Sequence, residues 1–253
     1  MRTLFRGLGA VAAVLAGQLA WTVWRPLPTF PDLDPTGSAG PPDGRPLRIL
    51  VLGDSSCTGS GLENPDDIWI RVLAHTLGEH GYRVEVTSFA VGGAKATDLV
   101  AHQLQPAVAL GGDLALVSVG GNDALRGVSL RTFEAALDTI VTQLKGAAGI
   151  VALSGVGDMG TVPRLTPTLA ALARRRGRAM NSIHQRVAAR HGVLVADQWE
   201  WAADRFRDRA VFAPDLFHPN ASGHRVWAEV AYQLLTPLLV AAPPGGTSGG
   251  NPG

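Results

Sequence analysis

Five short, largely apolar runs, each followed by a longer amphipathic stretch, constrain the fold of this chain more than any other feature. The runs are Arg48–Leu52, Val84–Phe89, Leu114–Val119, Ile150–Ser154 and Val193–Ala196. The stretches near Asp66–His80, Thr97–Leu110, Leu130–Gly146, Pro167–His191 and Ala221–Leu239 read as helices. Continuous rather than alternating apolarity fits strands covered on both faces. Strand followed by helix, repeated, predicts an α/β protein with a parallel sheet and helices on both sides. In such sheets ligands bind beyond the carboxyl ends of the strands, so the chemistry is expected in the segments that follow each strand.

The predicted folded unit is 47–240, one domain of a 253-residue chain with no internal repeat. Residues 1–25 hold an uncharged run from Gly7 to Trp24, broken by one amide, Gln18, with Arg2 and Arg6 before it and Arg25 after it. Its length suffices to span about 30 Å of hydrocarbon. Trp21 and Trp24 suit the membrane–water boundary, and the positive flank predicts a signal-anchor with the body on the extracytoplasmic side. Secretion after cleavage and a buried soluble helix are the alternatives, although for cleavage Val14 and Ala16, the nearest small-residue pair, lie inside the run. Residues 26–46 contain seven prolines and are expected to form an extended tether. The tail 241–253, AAPPGGTSGGNPG, is expected to be disordered.

Charge and cysteine content exclude several classes. Lys and Arg number 22 against 21 Asp and Glu; without Arg2, Arg6 and Arg25 the balance is 19 against 21, or −2, which argues against a nucleic-acid partner. The single cysteine, Cys57, rules out an intramolecular disulfide and a multi-cysteine metal site. No cofactor or metal is expected.

Four blocks stand at successive strand ends: Gly53-Asp54-Ser55-Ser56-Cys57-Thr58-Gly59, Ala90-Val91-Gly92-Gly93-Ala94, Gly120-Gly121-Asn122-Asp123, and Asp215-Leu216-Phe217-His218-Pro219 ahead of the last helix. Their residue types suit acyl transfer. A serine hydroxyl needs a neighbouring base, and His218 titrates in the right range. Asp215, three residues earlier, can hold the imidazole tautomer and stabilise its charged form. An N–H from a glycine turn and the amide of Asn122 are suitable donors to a developing oxyanion.

At these positions the chain resembles the SGNH (GDSL) hydrolase superfamily, over nearly the whole of 47–240. The resemblance implies a flavodoxin-like three-layer α/β/α sandwich with a five-stranded parallel sheet. It implies Ser55 as nucleophile, His218 as base and Asp215 as its orienter. The N–H groups of Ser55 and Gly93 and the side chain of Asn122 would form the oxyanion hole, with Gly92 the rival to Gly93. Many members carry Asn early in the second block, where Ser88 and Phe89 stand here.

Other features read as structural. His75, His80, His102, His184 and His191 fall in predicted helices, with solvated or capping roles expected; His224 lacks an acid three residues before it. Asp54 and Asp123 are expected to hydrogen-bond structurally, and Cys57 to pack as a small side chain. Gly155-x-Gly157-x-x-Gly160 formally matches a dinucleotide fingerprint. However, Pro163 and Pro167 interrupt the following helix and Arg174–Arg178 occupy the region where an acid is required. These glycines are expected to form a loop over the site, with Asp158 or Met159 at its entrance. Arg174, Arg175, Arg176 and Arg178 read as a solvated helix face, with anionic lipid as the alternative partner. Ile68, Trp69, Trp199 and Trp201 read as core or rim.

The function expected is a serine-dependent carboxylic ester hydrolase acting on a small or membrane-associated lipid or glycan acyl ester. An acyltransferase or thioesterase built on the same residues, and an inactive binding module, are the alternatives. Chain-length specificity and oligomeric state are not encoded in any readable motif.

Overall fold

A computed structural model describes residues 13–22 and 24–239. Its strands are β1 (Gly37–Ala39), β2 (Arg45–Gly53), β3 (Tyr82–Ser88), β4 (Gly112–Ser118), β5 (Ala148–Ser154) and β6 (Leu194–Ala196). They form one sheet in the order β1-β3-β2-β4-β5-β6. Strands β2 to β6 are parallel, as expected, and β1 adds a sixth, antiparallel to β3. The helices are α1 (Ser55–Thr58), α2 (Trp69–Glu79), α3 (Leu104–Leu110), α4 (Gly121–Leu125), α5 (Leu130–Leu144), α6 (Pro167–His191), α7 (Gln198–Trp201) and α8 (Ala221–Leu239). A helical turn at Ala96–Asp98 and a π-turn at Leu99–Gln103 lead into α3.

Strand β2 is central, and its alternating side chains feed two cores. Ile49 and Val51 pack with Leu73 and Leu77 of α2 and Leu235 of α8. Leu50 and Leu52 belong to the opposite core with Phe133, Leu137 and Ile140 of α5 and Met180 and Ile183 of α6. This is the predicted three-layer sandwich. Local signals set the helix ends: Ser129 caps α5 by accepting from the Thr132 N–H at 3.0 Å, and Gly192, at φ 63°, closes α6.

Residues 26–46 do not form a free tether. Leu33 N–H donates to the Thr58 carbonyl at 2.7 Å, Ser88 N–H donates to Thr36 Oγ1 at 3.1 Å, and residues 37–39 pair with β3. Strand β2 itself begins at Arg45, so the domain starts before residue 47. Proline-rich chain is compatible with this path, because an extended segment along a sheet edge tolerates missing N–H groups.

Of the uncharged run 7–24, residues 7–12 and 23 lie outside the described residues, as does the tail 241–253. Residues 13–22 and 24 are helical. Thr166 Oγ1 donates to Gln18 Oε1 at 2.7 Å, and Arg164 Nε donates to the Thr22 carbonyl at 2.9 Å. Among the described residues no helix is long and apolar enough to cross a membrane.

Candidate active site

Strand β2 ends at Gly53, and the chain turns at once into α1, with Asp54 as the cap and Ser55 as the first helical residue. Asp54 Oδ1 accepts from the Ser56 N–H at 2.9 Å, and Asp54 N–H donates to the Ser118 carbonyl at 3.2 Å, tying the turn to β4. Gln103 brackets Gly53 from the side, its amide donating to the glycine carbonyl and accepting from its N–H, both at 2.9 Å. Cys57 is fully buried beneath this turn, and burial pushes its thiol up, so it packs as expected and is not a reactive thiol.

Strand β4 delivers the second component. Asn122, in α4, donates its Nδ2 to Asp54 Oδ2 at 3.2 Å, which links it to the residue before Ser55. Asp54 is buried, and desolvation raises its pKa although hydrogen bonds from Ser56 and Asn122 act the other way. Asp123 is fully buried and accepts from the Ala96 N–H at 3.1 Å; burial lifts its pKa to about 6. Both carboxylates hold strand ends together.

The turn after β3 is tied to β2 by Val91 N–H donating to the Gly53 carbonyl at 3.2 Å. Gly92 and Gly93 differ sharply in what their N–H groups do. Gly92 N–H donates to Asp32 Oδ2 at 3.0 Å. Gly93, at φ 75°, makes no hydrogen bond through its N–H among the described residues, and neither does Ser55 N–H.

The turn 215–218 is wound around the Asp215 carboxylate. Oδ1 accepts from the N–H groups of Phe217 at 2.9 Å and His218 at 3.0 Å, and Oδ2 accepts from His218 Nδ1 at 2.6 Å. That last bond places the imidazole proton on Nδ1 and leaves Nε2 as the basic nitrogen. Desolvation raises the Asp215 pKa, but hydrogen bonds from His218 and the two N–H groups outweigh it, and the net value lies below the usual range. Leu216 takes φ 59°, a conformation disfavoured by about 1–2 kcal/mol for a residue with a Cβ. The turn is held there by Leu216 N–H on the Ala213 carbonyl at 2.9 Å and Arg164 N–H on the Leu216 carbonyl at 2.8 Å.

Ser55, Asn122 and His218 share the wall of one cavity of about 150 Å³, with Asp215 behind His218. The rest of the wall is mainly apolar, formed by Val156, Met159, Phe206, Phe212, Phe217 and Trp227. Ser55 makes no side-chain hydrogen bond among the described residues; what it shares with His218 is the cavity. A second void of about 20 Å³ shares Ser154, Gln198 and Trp227 with this cavity as lining residues. The loop of Gly155, Gly157 and Gly160 borders the site as expected, with Gly155, Gly157, Asp158 and Met159 lining the cavity. Among the described residues no group of His, Cys, Asp and Glu side chains is placed to hold a metal ion.

Three expectations need correction. His184 is fully buried rather than solvated, and desolvation lowers its pKa to about 4; His224, for which no solvated role was expected, is fully buried as well, with its pKa lowered to about 3. Arg176 does not face solvent freely: its guanidinium donates to the carbonyls of Ala124 at 2.7 Å and Val128 at 2.5 Å, clamping the segment that carries Asn122. Arg178 lies over the Trp199 ring, 4.7 Å from its centre. Sequence reasoning also missed Asp32 and the aromatic wall residues. The latter come from the irregular segment 202–219 and the start of α8, where no periodicity marks a pocket.

The model of the GDSL-like Lipase/Acylhydrolase family matches residues 51–226. The chain belongs to this family. Its blocks at Ser55, Gly93, Asn122 and Asp215–His218 all fall within the match. The GDSL-like esterase Rv1075c of Mycobacterium tuberculosis is 24% identical over 200 residues, which cover 76% of this chain and 63% of that protein. Among solved structures, TesA superposes with a TM-score of 0.63 at 22% identity, covering 76% of this chain and 99% of the other. A catalytic mutant of Axe2, an acetylxylan esterase from Geobacillus stearothermophilus, gives 0.62 at 20% identity, covering 79% and 99%. These likenesses establish the GDSL-family fold for the chain.

Proposed function

We propose that this GDSL-family chain hydrolyses carboxylic esters through an acyl-enzyme on Ser55. His218 Nε2 takes the Ser55 proton as Oγ bonds to the ester carbonyl carbon, and Asp215 stabilises the imidazolium. The N–H groups of Ser55 and Gly93 and the Asn122 amide receive the oxyanion. The C–O bond to the alcohol breaks as His218 returns the proton to the leaving oxygen. Water, deprotonated by His218, then attacks the acyl carbon, and Ser55 leaves with that proton as the acid is released. The observation that carries this reading is the placement of Ser55, Asn122 and His218 on one cavity wall, with the Ser55 and Gly93 N–H groups unspent among the described residues.

The apolar wall extends the proposal to the acyl group, which we take to be longer than acetyl. Each methylene buried there is worth about 0.8 kcal/mol, a factor of about 4 in kcat/KM until the cavity is full. Anchoring through residues 1–25, with the domain on the extracytoplasmic side, belongs to the same proposal; the uncharged run and the exposed Trp21 and Trp24 support it.

The test is hydrolysis of nitrophenyl esters with two to sixteen acyl carbons by the full chain beside Ser55→Ala. The expected result is a rate that climbs with chain length to an optimum and falls about 10⁴-fold or more in the variant. Activity that survives Ser55→Ala overturns the mechanism, and an optimum at acetate overturns the assignment of the cavity.

A further inference from the structure

Asp32 lies upstream of the family match, in the segment whose sequence reads only as a tether, yet its carboxylate touches both halves of the proposed oxyanion region. Oδ1 accepts from Thr58 Oγ1 at 2.7 Å and from Ser60 Oγ at 3.0 Å, both on buried residues at the end of the nucleophile turn. Oδ2 accepts from the Gly92 N–H at 3.0 Å, immediately before Gly93. A Cβ at position 92 would collide with this carboxylate, so glycine there permits the approach. The Gly92 backbone itself has no positive φ that would demand glycine.

We infer that Asp32 is a positioning residue for the oxyanion-binding turn. The inference rests on the proposed role of the Gly93 N–H. Two consecutive glycines have more backbone freedom than any other pair, and that freedom is lost when the turn is ordered. Asp32 removes part of it in advance by fixing the Gly92 peptide against the serine turn through Thr58 and Ser60. It also settles which glycine donor remains available, because the Gly92 N–H is occupied. A bare negative charge near an oxyanion would oppose catalysis; the three donors that Asp32 accepts from spread that charge while its geometry is used.

The full chain carrying Asp32→Ala, Asp32→Asn, Gly92→Ala or both Asp32→Ala and Gly92→Ala tests this, with kcat expressed per active site titrated by a fluorophosphonate. Asp32→Ala should lower kcat about tenfold with KM within about twofold, less than the 10²–10³-fold loss of a whole donor because the N–H remains but wanders. Asp32→Asn should restore kcat to within about threefold of wild type, its carbonyl accepting from Gly92 and its NH₂ donating to the hydroxyls. Gly92→Ala should reproduce the loss by expelling the carboxylate, and the double variant should lose no more than either single one. Should Asp32→Ala fail to fold, Asp32→Asn and Gly92→Ala decide the matter by the same criteria.

A kcat for Asp32→Ala within twofold of wild type overturns the inference, as does a loss confined to KM or one that Asp32→Asn does not restore. A rise in kcat in both Asp32 variants would show that the charge, not the geometry, matters. Ser55→Ala, run in parallel, keeps the two readings apart. If it is inactive while Asp32→Ala is unchanged, only Asp32 loses its role; if it retains activity, both readings fall.

Discussion

Acidification should destabilise this protein through a histidine that takes no part in the proposed chemistry. His224, in the first turn of α8, accepts the Trp69 N–H on Nδ1 at 3.2 Å, so that nitrogen carries no proton. Protonating it would break the link between α2 and α8 and put a charge in a buried layer. Desolvation, with a smaller contribution from His218, holds its pKa at about 3, against 6.5 for an ordinary histidine. The folded value is depressed, so the contribution is present in full above pH 6.5 and is lost as pH falls toward 3. At about 1.4 kcal/mol for each tenfold change in proton affinity, the whole interval is worth about 5 kcal/mol, of which about 2 is gone by pH 5. His184, with a pKa of about 4, loses a similar amount by pH 5. Asp123 acts in the opposite direction. Its folded pKa of about 6 lies above its ordinary 3.8, so ionisation opposes folding above pH 6, and going from pH 7 to 5 returns about 1.4 kcal/mol. Taken together, His224, His184 and Asp123 lose about 3 kcal/mol, and Asp54, whose carboxyl pKa burial also raises, offsets part of that loss. His224→Asn keeps an acceptor for the Trp69 N–H and cannot be protonated. Urea unfolding followed by circular dichroism at pH 7 and pH 5 should show its pH-dependent loss smaller than wild type's by about 2 kcal/mol, whatever its stability at pH 7. An unchanged pH 7-to-5 difference would refute the reasoning.

Other perturbations have equally definite outcomes. Arg176→Ala removes charge-assisted donors from the Ala124 and Val128 carbonyls and should cost about 1.5–3 kcal/mol in urea unfolding, with kcat falling as the Asn122 segment loosens. Asp215→Asn should lower kcat by about 10²–10⁴-fold with little change in KM, because the amide no longer enforces the Nδ1–H tautomer; steady-state kinetics on one ester suffices to check it. Ala203→Phe, which adds a ring to the cavity wall, should depress kcat/KM for an octanoyl ester about tenfold or more while leaving an acetyl ester within about threefold.

The central parallel strands were legible because they are buried on both faces and write that burial as an unbroken apolar run, as at residues 49–52 of β2 and 114–117 of β4, whereas β3 alternates and exposes Glu85. Arg48–Leu52 lies inside β2, and α6 and α8 begin and end where their periodicity and flanking Pro167 and Gly192 place them. The site blocks were legible for a related reason, since each sits at a strand end where the chain must turn. What periodicity does not report is long-range pairing. Nothing local marks Asp32 as reaching Gly92, or Gly37–Ala39 as a strand, because both are stabilised by partners far along the chain. The buried histidines did leave a trace. His184 is in register with Met180, Val187 and Ala188, and His224 with Trp227, Ala228 and Ala231, which is helical core spacing with an imidazole in one place. Judged by residue type, they read as polar; judged by position, they belong to the interior.

Strand β1 has a bearing on how this domain can be handled. Gly37, Ser38 and Ala39 cover the outer edge of β3 opposite Val86, Glu85 and Val84, and the Arg71 guanidinium secures them by donating to the Ser38 carbonyl at 3.1 Å. A fragment trimmed to begin at residue 47 would leave β3 with a row of unpaired backbone donors and acceptors beside valines at 84 and 86. Such an open template recruits other chains. The trimmed fragment should therefore self-associate at concentrations where the full chain stays dispersed, and its aggregation would be mistaken for an intrinsic fault of the fold.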